Sequence, residues 1–231
     1  VPMAVRAADL PIKDGQKIAF LGDSITEAGA GPKGYVSLVI SGLEANGVKA
    51  TAIPAGISGH KSNQMLERLE RDVLSKKPDW MTLSCGVNDV WHGANGVPLD
   101  QYKLNITKIV DQCQAAGIKV MILTSTMIGE DQPNANNQKL VGYNEFLRTL
   151  AKGKKCMLAD LNAGMQAAIA KAGVKRKGNL LTTDGVHMNP AGNEMMATGV
   201  LKAFGLSAKQ IAKAQKSWAD PTPTTEPAPK K

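Results

Sequence analysis

Four short segments of the sequence hold residue types that together could break an ester bond. They are residues 22–26 (Gly-Asp-Ser-Ile-Thr), 55–60 (Ala-Gly-Ile-Ser-Gly-His), 86–89 (Gly-Val-Asn-Asp) and 184–187 (Asp-Gly-Val-His). A serine hydroxyl becomes a good nucleophile only beside a base, which is commonly a histidine oriented by a carboxylate. We therefore expect Ser24 to attack, His187 to accept and return its proton, and Asp184 to hold the required tautomer of His187.

The same segments also contain donors for the negative oxygen that attack on an ester would create. The backbone N–H groups of Ser24 and Gly59 and the side-chain amide of Asn88 are three candidates for this oxyanion hole. Glycine at position 59 allows the backbone to approach the reacting group without a side chain in between. One donor of this kind typically lowers the barrier by about 3 kcal/mol.

The elements that would position these residues follow from the hydrophobic pattern. Short apolar runs typical of strands alternate with longer runs of helical periodicity, which favours a parallel sheet covered by helices on both faces. Strands are predicted at residues 17–21, 48–53, 79–84, 118–124 and 155–159, and helices at 35–46, 62–75, 99–116, 136–152, 162–172 and 190–204. The fold class is thus α/β, a three-layer α/β/α sandwich of about five parallel strands. Ligands of such sheets bind beyond the carboxyl ends of the strands, where the four segments fall.

Taken together, the four segments resemble the SGNH hydrolases, also called the GDSL esterase/lipase family. The four letters correspond here to Ser24, Gly59, Asn88 and His187, and Asp184 completes the D-x-x-H block. The sequence has Gly-Asp-Ser-Ile where the family name has Gly-Asp-Ser-Leu. The resemblance implies a flavodoxin-like fold, no metal and no organic cofactor, and ester hydrolysis through an acyl-serine intermediate.

Two competing motifs fit less well. Residues 29–34 spell the dinucleotide pattern G-x-G-x-x-G, but they begin eight residues after Leu21 and are interrupted by Pro32. No acidic residue follows the second predicted strand, as that pattern would require. The G-x-S-x-G elbow of the larger α/β-hydrolases is also missing, because Thr26 occupies its last position.

Four further residues adjoin the predicted catalytic groups and are candidate substrate contacts: Asp23, His60, Trp91 and His92. Trp91 could stack on a sugar ring or an acyl chain, or simply pack its loop. Asp23 could instead order its loop by accepting hydrogen bonds from backbone N–H groups, as could Asp89. The three histidines of the chain do not have the spacing of a zinc site, so no metal is expected.

Composition limits the remaining classes of protein. The chain has 231 residues, 43% of them hydrophobic and 21% charged, which fits one globular domain. No apolar run approaches the roughly 20 residues of a membrane span. Half of the net charge of +8 lies in residues 202–231, and aromatic residues make up only 4%, so nucleic acid is not an expected partner. We expect an N-terminal extension at 1–14, a hydrolase domain at 15–206, a short helix at 207–219 and a disordered Pro/Thr/Lys tail at 220–231.

The sequence constrains the reaction better than the substrate. The polar segment 130–138 makes a poor lid for a lipid pocket, which favours release of short acyl groups, above all acetyl, from a small-molecule or polysaccharide ester. The alternatives are a lysophospholipase or broad short-chain esterase, an acyltransferase, and a non-catalytic binding domain. Residues 1–10 either are the remnant of a signal peptide, which predicts a secreted or periplasmic protein, or are an ordinary chain end of a cytoplasmic one. The oligomeric state stays open.

Overall fold

A single sheet of five parallel strands forms the centre of the molecule. The computed structural model describes residues 10–173 and 177–219. Its strands are β1 (Lys17–Gly22), β2 (Thr51–Gly56), β3 (Trp80–Ser84), β4 (Lys119–Leu123) and β5 (Met157–Ala159). Their order is β2-β1-β3-β4-β5, the flavodoxin-like order, which confirms the predicted fold class. The order reverses between β1 and β3, so a crevice is expected at the carboxyl ends of these two strands.

Helices cover both faces of the sheet. The described residues form α1 (Ser24–Gly29), α2 (Tyr35–Ala45), α3 (Ser62–Glu67), α4 (Leu69–Asp72), α5 (Val87–Trp91), α6 (Leu99–Ala115), α7 (Ala135–Gly153), α8 (Leu161–Ala172), α9 (Pro190–Ala203) and α10 (Ala208–Ala219). Helices α2, α9 and α10 pack together in one layer, and α3, α6 and α7 pack together in another. All five side chains of β3 are buried between the layers, as expected for the centre of a doubly covered sheet.

The structure corrects three details of the predicted elements. Strand β2 begins and ends three residues later than predicted and includes Pro54, which is tolerated because β2 lies at the edge of the sheet. The helix predicted over residues 62–75 is interrupted at Arg68, where α3 ends and α4 begins. Helices α1 and α5 were not predicted, because five or six residues are too few to show helical periodicity.

Helix α10 is part of the hydrophobic core rather than an appendage. Its buried side chains Ile211, Ala214 and Trp218 pack on the layer that contains α2, and the Trp218 indole N–H donates to the Leu38 carbonyl at 3.0 Å. At the other end of the described chain, Leu10 is also buried. Residues 1–9 and the predicted tail at 220–231 lie outside the described residues.

We expect Trp218→Ala to lower the free energy of unfolding by about 3–5 kcal/mol, the usual cost of removing a large buried aromatic side chain. Urea denaturation followed by circular dichroism measures this change. The exposed Lys216 on the same helix provides the matched control, and Lys216→Ala should change stability by less than about 0.5 kcal/mol. Equal stabilities for the two variants would contradict the docking of α10.

Candidate active site

Ser24 lies at the carboxyl end of β1, where the chain turns directly into α1. The carboxylate of Asp23 is buried and accepts a hydrogen bond from the Ile25 N–H at 3.0 Å, which makes Asp23 the N-cap of α1. Gly22 is required at this turn, because a Cβ there would clash with the side chain of Thr26. Burial raises the pKa of Asp23 to about 6. Asp23 therefore lies beneath the cleft, and its carboxylate orders the turn that carries Ser24.

A continuous chain of hydrogen bonds runs from Ser24 through His187 to Asp184. Ser24 Oγ lies 2.9 Å from His187 Nε2, and His187 Nδ1 lies 2.6 Å from Asp184 Oδ2. The other carboxylate oxygen of Asp184 accepts the backbone N–H groups of Val186 and His187. Partial burial raises the pKa of Asp184, but the hydrogen bonds from His187 and from the backbone outweigh it and lower the pKa to about 2. Asp184 is therefore ionised at neutral pH and can orient and stabilise a protonated His187.

The loop that carries Asp184 and His187 is held in place by Glu130, which follows β4. The buried carboxylate of Glu130 accepts the backbone N–H groups of Leu180, Leu181 and Thr182 at 2.6–2.9 Å, and also the Thr182 hydroxyl at 2.8 Å. A further backbone hydrogen bond of 2.7 Å joins the segment that contains Glu130 to residue 185 of the loop. These four donors, all from the described residues, fix the approach to the His187 loop.

Gly59 follows β2 in a backbone conformation that favours glycine. Its φ is +76°, and apart from Ser58 and His60 on either side, no described residue has an atom within 4 Å of the position that a Cβ would occupy. The conformation, rather than a close protein contact, is therefore what the structure shows to require glycine here. The position is exposed, so the Gly59 N–H is open to a ligand.

The amide of Asn88 is oriented from both sides. Its Nδ2 donates to the His60 carbonyl at 3.2 Å, and its Oδ1 lies 3.2 Å from His92 Nε2, which must be the donor because a carbonyl oxygen only accepts. These partners fix which way the amide points and leave its second N–H free for a ligand. His92, predicted as a substrate contact, is thus placed where it positions Asn88.

Asp89, beside Asn88, anchors the start of α5 from below. Its buried carboxylate accepts the Ser62 N–H at 3.0 Å, the Ser62 hydroxyl at 2.5 Å and the Cys85 thiol at 3.5 Å. Gly86 precedes α5 with φ +140°, and a Cβ there would clash with the Ser125 hydroxyl. Burial raises the pKa of Asp89. The hydrogen bonds of Asp89 connect α5 to α3, as expected for a residue that orders its loop.

Two of the predicted substrate contacts lie at the open rim of the site. The Trp91 side chain is 43% exposed, and its ring packs edge-on against the ring of His187 with centroids 6.5 Å apart. His60 is half-buried directly after Gly59. At one edge of the sheet, His187 therefore contacts Ser24 on one side and packs against the ring of Trp91 on the other.

Sequence reasoning missed two residues that hold this arrangement together, Glu130 and Arg68, whose buried guanidinium donates to the Gly22 carbonyl at the end of β1. Glu130 belongs to the polar segment 130–138, and no local motif indicates that it accepts backbone N–H groups from residues 180–182. Arg68 was hidden inside a predicted continuous helix. In the described ranges, no three His, Cys, Asp or Glu side chains are grouped as metal ligands would be. None of the helices in these ranges is long and apolar enough to cross a membrane.

The fold and the arrangement of polar groups at its edge are those of a carboxylic ester hydrolase. Residues 20–195 match the model of the GDSL-like Lipase/Acylhydrolase family, and the chain belongs to this family. This membership confirms the resemblance seen in the sequence.

Several characterised proteins are similar over most of the chain. An acetylxylan esterase of Geobacillus stearothermophilus is 27% identical over 218 residues, which covers 85% of this chain and 97% of that protein. Esterase TesA of Pseudomonas aeruginosa is 25% identical over 174 residues, 74% of this chain and 79% of that protein. The crystal structure of the acetyl xylan esterase AlAXEase is 36% identical with a TM-score of 0.77, over 81% of this chain and 98% of that one.

Glu130→Gln keeps the shape of the side chain but removes the charge that four donors share, so we expect the free energy of unfolding at pH 7 to fall by about 2 kcal/mol. Burial raises the pKa of Glu130, but the hydrogen bonds from residues 180–182 outweigh it and hold the pKa below 4.5. A carboxyl group whose pKa is lower in the folded than in the unfolded state stabilises the fold when it is ionised. The difference in free energy of unfolding between wild type and Glu130→Gln should therefore shrink as pH falls below 4.5.

Urea denaturation at a series of pH values tests this expectation. Asp131→Asn, at the exposed neighbouring position, is the matched control and should have little effect at any pH. A Glu130→Gln variant as stable as wild type at pH 7, or a difference that grows in acid, would contradict the role given to Glu130.

Proposed function

We propose that this enzyme removes acetyl groups from carbohydrate by attack of Ser24 and formation of an acetyl-serine intermediate. The observation that carries the proposal is the unbroken hydrogen-bonded chain from Ser24 through His187 to Asp184, with bonds of 2.9 and 2.6 Å. The names of two relatives, both acetylxylan esterases, support the acetyl group and the carbohydrate.

In this mechanism His187 Nε2 removes the proton of Ser24 Oγ as the oxygen attacks the ester carbonyl. His187 then gives the proton to the sugar oxygen as its bond to the acetyl carbon breaks, so the sugar leaves with a free hydroxyl and the acetyl group stays on Ser24. A water molecule, deprotonated by the same nitrogen, attacks the acetyl-serine, and His187 returns the proton to Ser24 Oγ as the bond to the acetyl carbon breaks and acetate is released. Asp184 stabilises the imidazolium that forms in each half of the reaction.

The tetrahedral oxyanion would be bound by the N–H groups of Ser24 and Gly59 and by Nδ2 of Asn88. Neither of the two backbone N–H groups has a hydrogen-bond partner among the described residues. Donors that are already oriented need no reorganisation when the charge develops. His92, by holding Oδ1 of Asn88, keeps the third donor turned toward the hole.

The openness of the site favours a small acyl group on a large polar carrier. The side chains of His187 and Asp184 are 37% and 51% exposed, and Trp91 stands at the rim as a surface on which a sugar ring could stack. The segment after β4 does not supply a lid, because Glu130 is turned inward and Asn134 caps α7. A polymer chain can therefore reach Ser24 without a covering segment of residues 10–173 or 177–219 having to move.

We expect Ser24→Ala to lower kcat for p-nitrophenyl acetate at least about a thousandfold, because the nucleophile is removed. A fluorophosphonate probe should label wild type at Ser24 and leave the variant unlabelled. Ser75→Ala, which changes an exposed serine on a different segment, should be labelled and active like wild type. Persisting esterase activity in Ser24→Ala would overturn the catalytic assignment.

A panel of substrates separates the proposed function from its alternatives. We expect release of acetate from acetylated xylan or acetylated xylo-oligosaccharides with a higher kcat/KM than hydrolysis of a lysophospholipid. The relative named Esterase TesA keeps a broader esterase as the second candidate. Activity on the lysophospholipid alone would refute the carbohydrate proposal and leave the ester chemistry intact.

A further inference from the structure

A buried guanidinium lies beneath the cleft and connects the two strands that lead into it. Arg68 is only 5% exposed. Its Nη2 donates to the carbonyl of Gly22 at the end of β1, and its Nη1 donates to the carbonyl of Ala55 in β2, both at 2.8 Å. Asp72 pairs with Nη1 at 3.0 Å and offsets the buried charge. The turn of Ser24 and the loop of Gly59 therefore share one rigid support.

A third N–H group of Arg68, on Nε, determines which ring nitrogen of His60 carries the proton. Arg68 Nε donates to His60 Nδ1 at 3.1 Å. A guanidinium N–H can only donate, so His60 Nδ1 must be the acceptor, and the proton of the neutral ring lies on Nε2. Burial and the positive charges of Arg68 and Arg71 lower the pKa of His60. The carboxylates of Asp72 and Glu67 act in the opposite direction but are outweighed. The lowered pKa favours the neutral ring.

His60 lies in the loop that carries Gly59, beside Asn88. His60 directly follows Gly59, and its carbonyl accepts the amide of Asn88, so its backbone is fixed beside two of the oxyanion donors. The Nδ1 side of the half-buried ring faces Arg68, and Nε2 has no hydrogen-bond partner within residues 10–173 and 177–219. An oriented and neutral N–H in the residue that follows Gly59, with no partner among the described residues, is suited to a hydroxyl oxygen of a sugar.

We propose that His60 determines specificity for sugar esters by donating its Nε2–H to a hydroxyl oxygen of the sugar unit that carries the acyl group, and that Arg68 fixes the tautomer this requires. The proposal rests on the proposed function, because it takes the substrate to be an acetylated carbohydrate. In this proposal His60 contacts the sugar itself. His92 contacts Asn88 instead, so its effect on catalysis should be the same for every ester.

The test compares two substrates, an acetylated xylo-oligosaccharide and p-nitrophenyl acetate, which has no sugar hydroxyl. We expect His60→Ala to lower kcat/KM for the sugar ester about tenfold more than for p-nitrophenyl acetate, which corresponds to the loss of one hydrogen bond. His60→Gln should recover much of this difference, since its amide oxygen can accept from Arg68 while its NH₂ group donates to the sugar. His92→Ala is the matched control and should lower kcat for both substrates by the same factor.

Equal losses on both substrates in His60→Ala, or no recovery in His60→Gln, would overturn the assignment of His60. A wild-type enzyme that cleaves p-nitrophenyl acetate but not the sugar ester would instead refute the proposed function itself. Nitrogen NMR of the imidazole rings provides a second measurement that needs no variant. A His60 protonated on Nε2 and unprotonated on Nδ1 is expected, and the opposite tautomer would overturn the role of Arg68.

Discussion

The candidate site depends on one hydrogen bond between residues that are 163 positions apart in the sequence, Ser24 and His187. Ser24 is placed by β1 and by the cap of α1, whereas His187 comes from a loop that an antiparallel bridge between Thr182 and Met188 closes. Ordering such a loop costs conformational entropy, which its contacts must offset. Glu130 provides the main contact by binding three consecutive backbone N–H groups just before the loop turns toward Ser24.

Below the cleft, buried polar side chains hold the first three of the four segments in place. Asp23 caps the turn of the serine, Asp89 ties α5 to α3, and Arg68 bridges the ends of β1 and β2. Burying these groups costs free energy that apolar side chains would not, and their hydrogen bonds offset that cost. Each fixes backbone beside Ser24, Gly59 or Asn88, so we expect these side chains to matter more for the position of those residues than for stability.

Much of this arrangement could be predicted from the sequence because its signals are local. Strand–helix alternation indicates the layers, and short motifs identify Ser24, Asn88 and the Asp184–His187 pair, all of which the fold brings to one edge of the sheet. Glu130 and Arg68 could not be identified in the same way, since their roles come from contacts with segments distant in sequence.

Two differences from the sequence prediction have the same origin. The break between α3 and α4 and the later start of β2 both result from tertiary contacts, which outweigh the local sequence pattern. The helical periodicity of residues 62–75 does not indicate that the Arg68 side chain is buried against the ends of β1 and β2. Apolar character likewise begins before Thr51, but pairing with β1 fixes the register of β2 at Lys17–Thr51.

The central claim is that Ser24 carries the acyl group between the two halves of the reaction. Rapid acid quenching during the first turnover of an acetyl ester, followed by mass spectrometry of the digested protein, tests it directly. The peptide that contains Ser24 should gain the mass of one acetyl group, which then disappears as acetate is released. An acetyl group trapped on a different residue, or turnover with no acetylated Ser24 at any time point, would contradict the account.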